Sequence, residues 1–357
     1  MRIEKNAMVS AIDKVKGVIP KKATVPALEG ALVKDGYLIA NNTEIAVQVK
    51  LGAAGANDRY VIPTKALDMI RKMPDDRIEI RDEGKNMLSI SCRAARNRMQ
   101  TVGPDEFSYD AIKDASDKVV TVSGAQLMSA IKRVGMAAST SAAQMLMRGI
   151  YFEGERDRFN LVALDGHRIA LAELPATGAD GIRFVVPKTS TDRLFPLISA
   201  DGGDKVKISI DEYSAVFAAE DYAASARLID GTYFDYKSMM NLKGENAIEL
   251  PRKELVDALG RATMVAGGTI PIVFEIHGDG VTILVTAPTG DYKEDLALDT
   301  EAAAEIRIGF DSKLFLDSLS NFVDDRVTIT YNGPRNPVYI TEEATSYKVL
   351  VLPVRIS

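Results

Sequence analysis

The residues with the most chemical potential stand together as Asp165-Gly166-His167-Arg168. A carboxylate two positions from an imidazole could work as an acid–base pair or as two ligands of a metal ion. The rest of the chain gives that reading little to build on. It has two histidines, and the second, His277, sits in a Gly278-Asp279-Gly280 turn with no ligand spacing to the first. Neither a G-x-S-x-G nucleophile turn nor a G-x-x-x-x-G-K-[ST] phosphate loop occurs. A metal-dependent hydrolase around Asp165 and His167 is therefore the weakest reading. The expectation is a protein without catalytic residues, metal or cofactor, and without ATP hydrolysis of its own.

Composition narrows the setting. Cys92 is the only cysteine, so a disulfide within the chain is impossible, which suits a reducing compartment. The N-terminus, MRIEKNAMVSAI, lacks the apolar run of a signal peptide, and no stretch approaches the roughly eighteen apolar residues of a membrane span. Cytoplasm is the expected location. At 357 residues the chain exceeds what one core usually serves.

The elements that must position these residues recur. A short alternating strand, an amphipathic helix, then two or three strands divided by Gly, Asp or Asn turns are written six times. Helices are expected to start near Asn6, Thr64, Ser123, Lys188, Pro251 and Asp311, at intervals of roughly sixty residues, the mark of a repeat architecture. Met8, Ala11, Ile12 and Val15 fit the i, i+3, i+4, i+7 stripe, as do Ala66, Met69, Ile70 and Met73, then Leu127, Ala130, Ile131 and Val134, then Leu255, Ala258, Leu259 and Ala262. In the fourth helix Pro196 falls in the last turn and should kink or end it. Arg77–Ile80 with Met87–Ser91, Lys205–Ile210 with Ala215–Ala219, and Val281–Thr286 alternate as half-buried antiparallel strands. The fold class is α+β, in two-layer domains with helices on one side and sheet on the other. Pairing successive copies gives three domains, 1–116, 117–245 and 246–357. An echo supports this pairing: Gly103-Pro104-Asp105-Glu106-Phe107-Ser108-Tyr109 and Asp230-Gly231-Thr232-Tyr233-Phe234-Asp235-Tyr236 stand at the two proposed exits.

Charge is distributed unevenly. The six helical windows (6–19, 64–73, 123–136, 188–198, 251–264 and 311–322) hold 13 Lys plus Arg against 7 Asp plus Glu, a net of +6. The whole chain is −6, so the remainder carries −12. Such a division suggests a positive lining inside a negative exterior, although basic residues are also good helix formers and could be a solvated surface.

The chain at this point resembles the bacterial sliding clamp, the beta subunit of DNA polymerase III. The resemblance covers the whole length. It rests on Leu164-Asp165-Gly166-His167-Arg168-Ile169-Ala170, on Arg227-Leu228-Ile229-Asp230-Gly231 leading to Asp235-Tyr236, and on Val351-Leu352-Pro353-Val354-Arg355-Ile356. It implies six βαβββ units in three domains, closed into a ring as a head-to-tail homodimer around double-stranded DNA. Binding would be sequence-blind, with Arg71, Lys72, Lys132, Arg133, Lys188, Arg252 and Lys253 facing DNA and Lys21 and Lys22 on a basic loop. The dimer interface would bring Met264 and Val265 of one subunit against Phe107 of the other. An apolar groove would take a peptide with a Gln and apolar anchors from the polymerase alpha subunit, the clamp loader and other partners. Its matching positions are Met147, Leu164, Gly166, His167, Arg168, Ile169, Phe234, Met239, Leu350, Leu352, Pro353, Val354 and Arg355. Leu164, Phe234 and Leu314 depart from the family's usual Thr, Pro and frequent Tyr, so peptide preference is left open. The competing class is a monomeric repeat scaffold that binds proteins only. It would share most of this composition but not a closed oligomer.

Overall fold

Six copies of one strand, one helix and three strands make up the computed structural model, which describes all residues except 53–55, 113–117, 142, 199–204, 242–243, 300 and 357. The expected domain cut at 116 lies outside the described residues. The first copy is β1 (Arg2–Glu4), α1 (Lys5–Lys16), β2 (Gly30–Lys34), β3 (Tyr37–Asn41) and β4 (Ile45–Lys50). The second is β5 (Arg59–Pro63), α2 (Thr64–Lys72), β6 (Arg77–Asp82), β7 (Met87–Cys92) and β8 (Ala95–Gln100). The third is β9 (Val119–Ser123), α3 (Gly124–Gly135), β10 (Gly149–Glu155), β11 (Arg158–Leu164) and β12 (Arg168–Pro175). In the fourth, β13 (Arg183–Pro187) leads into α4 (Lys188–Thr191), a 3₁₀ turn (Asp192–Leu194) and α5 (Phe195–Ile198), then β14 (Lys205–Ile210), β15 (Ser214–Ala218) and β16 (Tyr222–Arg227). A short helix, α6 (Tyr236–Met240), precedes the fifth copy, which is β17 (Asn246–Pro251), α7 (Arg252–Ala266), β18 (Ile272–His277), β19 (Gly280–Ala287) and β20 (Gly290–Ala297). The sixth is β21 (Ile306–Phe310), α8 (Ser312–Leu319), β22 (Arg326–Tyr331), β23 (Val338–Thr341) and β24 (Tyr347–Val351).

The helices form where the apolar stripes place them, because the stripes are buried but for Met69, which is half-buried. Met8, Ala11, Ile12 and Val15 are core residues, as are Leu127, Ala130, Ile131 and Val134, and Leu255, Ala258, Leu259 and Ala262. Asp311 caps α8 by accepting from the Leu314 N–H, and α7 stops at Gly267, which takes the left-handed conformation (φ 61°) and donates its N–H to the Thr263 carbonyl. The fourth helix breaks one turn before Pro196 and resumes through Ile198. A proline ring clashes with the carbonyl four residues back, here Asp192, so the distortion falls upstream of the proline.

Strand pairing is antiparallel throughout the described sheets, and successive copies exchange their first strands. β1 joins β6 and β5 joins β2, β9 joins β14 and β13 joins β10, β17 joins β22 and β21 joins β18. Each copy thereby owns a four-stranded sheet whose last member is its own final strand. Two further pairings join final strands, β4 with β16 and β12 with β24, and produce two eight-stranded sheets. β8 and β20, the final strands of the second and fifth copies, remain sheet edges.

Packing groups the described residues into two compact units. The first comprises Met1–Met128, Ala176–Ala179 and Thr189–Leu228; the second comprises Ser129–Pro175, Asp180–Lys188 and Ile229–Ser357. In each unit the helical stripes and the inner sheet faces form the core.

The repeat extends to single glycines. Gly30 and Gly149 both open the strand after a 3₁₀ turn and lie opposite Pro63 and Pro187. A Cβ on Gly30 would come 2.6 Å from the Ile62 carbonyl oxygen, and one on Gly149 would come 2.5 Å from Val185 Cγ1. Gly30→Ala and Gly149→Ala should each destabilise by roughly 1–3 kcal/mol through overpacking. Gly17→Ala, in helical backbone with nothing within 4 Å, should be neutral or stabilising. Thermal unfolding midpoints of the three variants check this.

Candidate functional site

Asp165 spends its carboxylate on its own turn. Its Oδ1 accepts the backbone N–H groups of His167 (2.9 Å) and Arg168 (3.0 Å), and Gly166 supplies the left-handed backbone (φ 90°) that the bend requires. Its Oδ2 accepts from Arg168 Nε at 3.0 Å. The carboxylate of the imagined acid–base pair is thus fully engaged, and among the described residues no group of three His, Cys, Asp or Glu side chains could hold a metal ion. His167 is exposed beside the turn.

Arg168 lines the groove only in part, because its guanidinium turns inward. It is 6% exposed. Its Nη1 reaches the Leu314 carbonyl at 3.2 Å and Asp317 Oδ2 at 2.8 Å, and its Nη2 reaches the Met136 carbonyl at 2.5 Å. One guanidinium therefore satisfies the end of the α3 segment, a carbonyl and a carboxylate of α8, and the turn before β12. Five donors in a planar fork suit such a junction, and lysine could not replace it.

Beside this junction lies an apolar pocket of about 240 Å³, lined by Leu164, Gly166, Arg168, Ile169, Phe234, Met239, Pro337, Leu350 and Leu352. The β12–β24 pairing builds it, since Ile169 lies opposite Leu350 and the Leu352 N–H donates to the His167 carbonyl. Met147 packs against the cluster behind the pocket rather than lining it. Pro353, Val354 and Arg355 follow the last lining residue, Leu352, and Val354 bridges to Gly309, where a Cβ would come 2.3 Å from Ile356 Cγ2. Pro337 was missed because it joins the site only through the pairing of β23 with β24, which a single sequence does not display. The departures at Leu164 and Phe234 face the pocket directly, whereas Leu314 contributes its carbonyl to Arg168.

One wall is carried by α6. Asp235 caps it by accepting from the Ser238 N–H, and the Tyr339 hydroxyl donates to the Met239 carbonyl at 2.8 Å. Tyr236 donates to Glu153 Oε2 at 2.6 Å. Burial pushes the Glu153 carboxyl up, but hydrogen bonds from Tyr236 and Lys237, with the charges of Lys237 and Arg183, outweigh it and hold the group below its ordinary value. Burial, then the bond to Glu153, pushes the Tyr236 hydroxyl far up, so it stays a donor.

The basic positions divide. Lys21, Lys22, Lys72, Lys132 and Lys253 are exposed, and Lys188 is half-buried. Arg71 is half-exposed and pairs with Asp13, and Arg252 donates to the Asp324 carbonyl at 2.7 Å. Arg133 does not face solvent: it is buried, donates to Glu342 Oε1 at 2.9 Å and lies over the Tyr347 ring. Glu342 also accepts the N–H groups of Val323 and Asp324, so Arg133 belongs to a buried network rather than a DNA-facing surface. Phe107 likewise packs inside its own unit with Ala27, Leu28, Leu32, Ile39 and Val61 and offers little surface to a second subunit. Met264 is 83% exposed and Val265 half-buried.

Repeated sheet-and-helix copies, exposed lysines and an apolar pocket at a strand joint define a protein of the DNA-clamp class. Models of the DNA polymerase III beta subunit match the chain three times, the N-terminal domain at residues 1–112, the central domain at 121–235 and the C-terminal domain at 237–355, and the chain belongs to this family. A beta sliding clamp from Streptomyces coelicolor is 23% identical over 380 residues, spanning 100% of this chain and 99% of the relative. The beta sliding clamp of Escherichia coli K12 is 23% identical, with 99% of each chain covered. Among solved structures, the DNA polymerase III beta subunit of Thermotoga maritima superposes with a TM-score of 0.91 at 23% identity, over 100% of this chain and 99% of that one. A sliding clamp from Pseudomonas aeruginosa bound to griselimycin gives 0.92 at 20% identity, again over 100% and 99%.

Arg133→Met and Arg168→Met should each cost roughly 3 kcal/mol, because each strands buried oxygen acceptors. His167→Ala should stay within about 0.5 kcal/mol, as expected of an exposed side chain. Denaturant midpoints distinguish them, and an unshifted midpoint for Arg133→Met would return that residue to the surface.

Proposed function

We propose that this protein is a DNA sliding clamp that closes head to tail with a second copy around duplex DNA and tethers replication partners through the pocket at Leu164, Ile169, Phe234, Met239, Leu350 and Leu352. The observation that carries the ring is the pair of sheet edges. Final strands pair as β4–β16 and β12–β24, and the same rule applied to β8 and β20 supports their pairing with a second copy of the chain. The two edges suit each other electrostatically. β8 carries Arg96 and Arg98 and no acid, whereas β20 carries Asp291, Glu294 and Asp295 against Lys293. Met264, exposed near the end of α7, supports an apolar contact at the same junction. Domain limits of 1–116, 117–245 and 246–357 accord with the exchange of first strands between successive copies.

Within this reading Lys21, Lys22, Lys72, Lys132 and Lys253 supply weak, sequence-blind attraction to phosphates. Retention would come from topology, and an acidic remainder would discourage binding outside the ring. The clamp acts as a non-catalytic processivity factor, opened by a separate loader, with the polymerase alpha subunit among its peptide-bearing partners. No helix of the described residues is long and apolar enough to cross a membrane, and the reading needs none.

Light scattering should return twice the 38.7 kDa chain mass. Met264→Glu with Val265→Glu should give the single-chain mass at micromolar concentration, since unpaired charge would be buried in the interface. A monomeric wild-type protein would support the scaffold reading instead.

A further inference from the structure

α6 has five residues, too few to hold a helix unaided, yet it presents Met239 to the pocket and follows directly on Phe234. The hydroxyl of its first residue is held from behind by Glu153 on β10, which does not line the pocket and is 3% exposed. Glu153 lies opposite Asn160 on β11 and Arg183 on β13. It receives Tyr236 at 2.6 Å, Arg183 Nε at 3.0 Å and Lys237 Nζ at 2.9 Å, and Asn160 Nδ2 donates to the Tyr236 oxygen at 3.3 Å. Two residues along the same face, Tyr151 stacks on Tyr233 at 4.4 Å between centroids, and Tyr233 meets Phe234 edge to face at 5.4 Å. The aromatic ladder holds the Tyr233–Phe234 end of the segment, the carboxylate holds Tyr236 and Lys237 in its middle, and the Tyr339 hydroxyl holds the Met239 carbonyl.

The repeat supplies an independent comparison. At the first domain exit, Tyr109 occupies the place of Tyr236 and also anchors by its hydroxyl, but to the neutral side chain of Gln48. The tyrosine anchor therefore recurs at both exits. The buried carboxylate with two cationic partners stands at the exit whose following helix forms a pocket wall.

We propose that Glu153 is a positioning residue for partner-peptide binding: by holding Tyr236 and Lys237 it fixes α6, and through α6 it sets the places of Phe234 and Met239. The proposal rests on the peptide-pocket reading above. Its test is fluorescence anisotropy with the full-length protein and a labelled heptapeptide carrying one Gln and Leu and Phe anchors. Glu153→Ala and Tyr236→Phe should each weaken binding about tenfold, while dimer mass stays that of wild type. Glu153→Gln, which still accepts from Tyr236, should recover affinity to within about threefold. In a Met239→Ala background, Glu153→Ala should add less than about twofold, because the wall it positions is already gone. Wild-type affinity in both Glu153→Ala and Tyr236→Phe, or penalties of Glu153→Ala and Met239→Ala that multiply fully, would overturn the proposal. Leu352→Ala separates the two levels of the account. If it weakens binding while Glu153→Ala does not, only the positioning role falls; if no pocket substitution matters, the pocket reading falls with it. Tyr236→Phe removes a single oxygen and keeps the test open should Glu153→Ala fail to fold.

Discussion

Antiparallel strand pairing governs this protein, because a sheet edge is a row of unmet hydrogen-bonding groups and the final-strand edges of four of the six copies are consumed by another copy. Exchange of first strands locks successive copies together, and joining of final strands fuses four of the six sheets into two. Among the final strands, β8 and β20 are the two left at a sheet edge, and the proposed closed oligomer is argued from them. The helices are then free of sheet-forming duty on their outer sides and can carry lysines to solvent.

The pocket is a by-product of the same pairing. Where β12 meets β24, two strands from remote copies converge, and their apolar residues cannot close over the joint completely. Buried polar groups hold the gap in shape. Arg168 satisfies carbonyls from two elements and two carboxylates, Glu342 with Arg133 ties α3 to the segment after α8, and Glu153 secures α6. Such groups are expensive to bury and tolerable only when every partner is present. An apolar recognition surface is therefore positioned by ionic residues that line it barely or not at all.

Much of this was legible in the sequence. Apolar stripes located helices because burial demands that periodicity, and the resemblance put Gly166, His167, Arg168 and Ile169 on a groove wall, beside the Asx turn that Asp165 makes. Expecting Arg133 to face DNA overlooks its acidic partner, Glu342, which lies more than two hundred residues away in sequence. Charge pattern within a helix cannot reveal a partner brought by tertiary pairing. Phe107 completes a local core, and Pro337 enters the pocket only through cross-strand register. A guanidinium can satisfy several acceptors at once, which is how Arg133 comes to be buried among them.

The central claim is that unpaired edges close the chain into a ring whose hold on DNA is topological. The direct measurement is retention of labelled protein, placed by a clamp loader on closed circular DNA, after a wash in high salt and again after the circle is cut once. The account predicts survival of the salt wash on the intact circle and loss on cutting. Equal loss from circular and linear DNA in salt would mean that phosphate attraction alone holds the protein, and would contradict the ring.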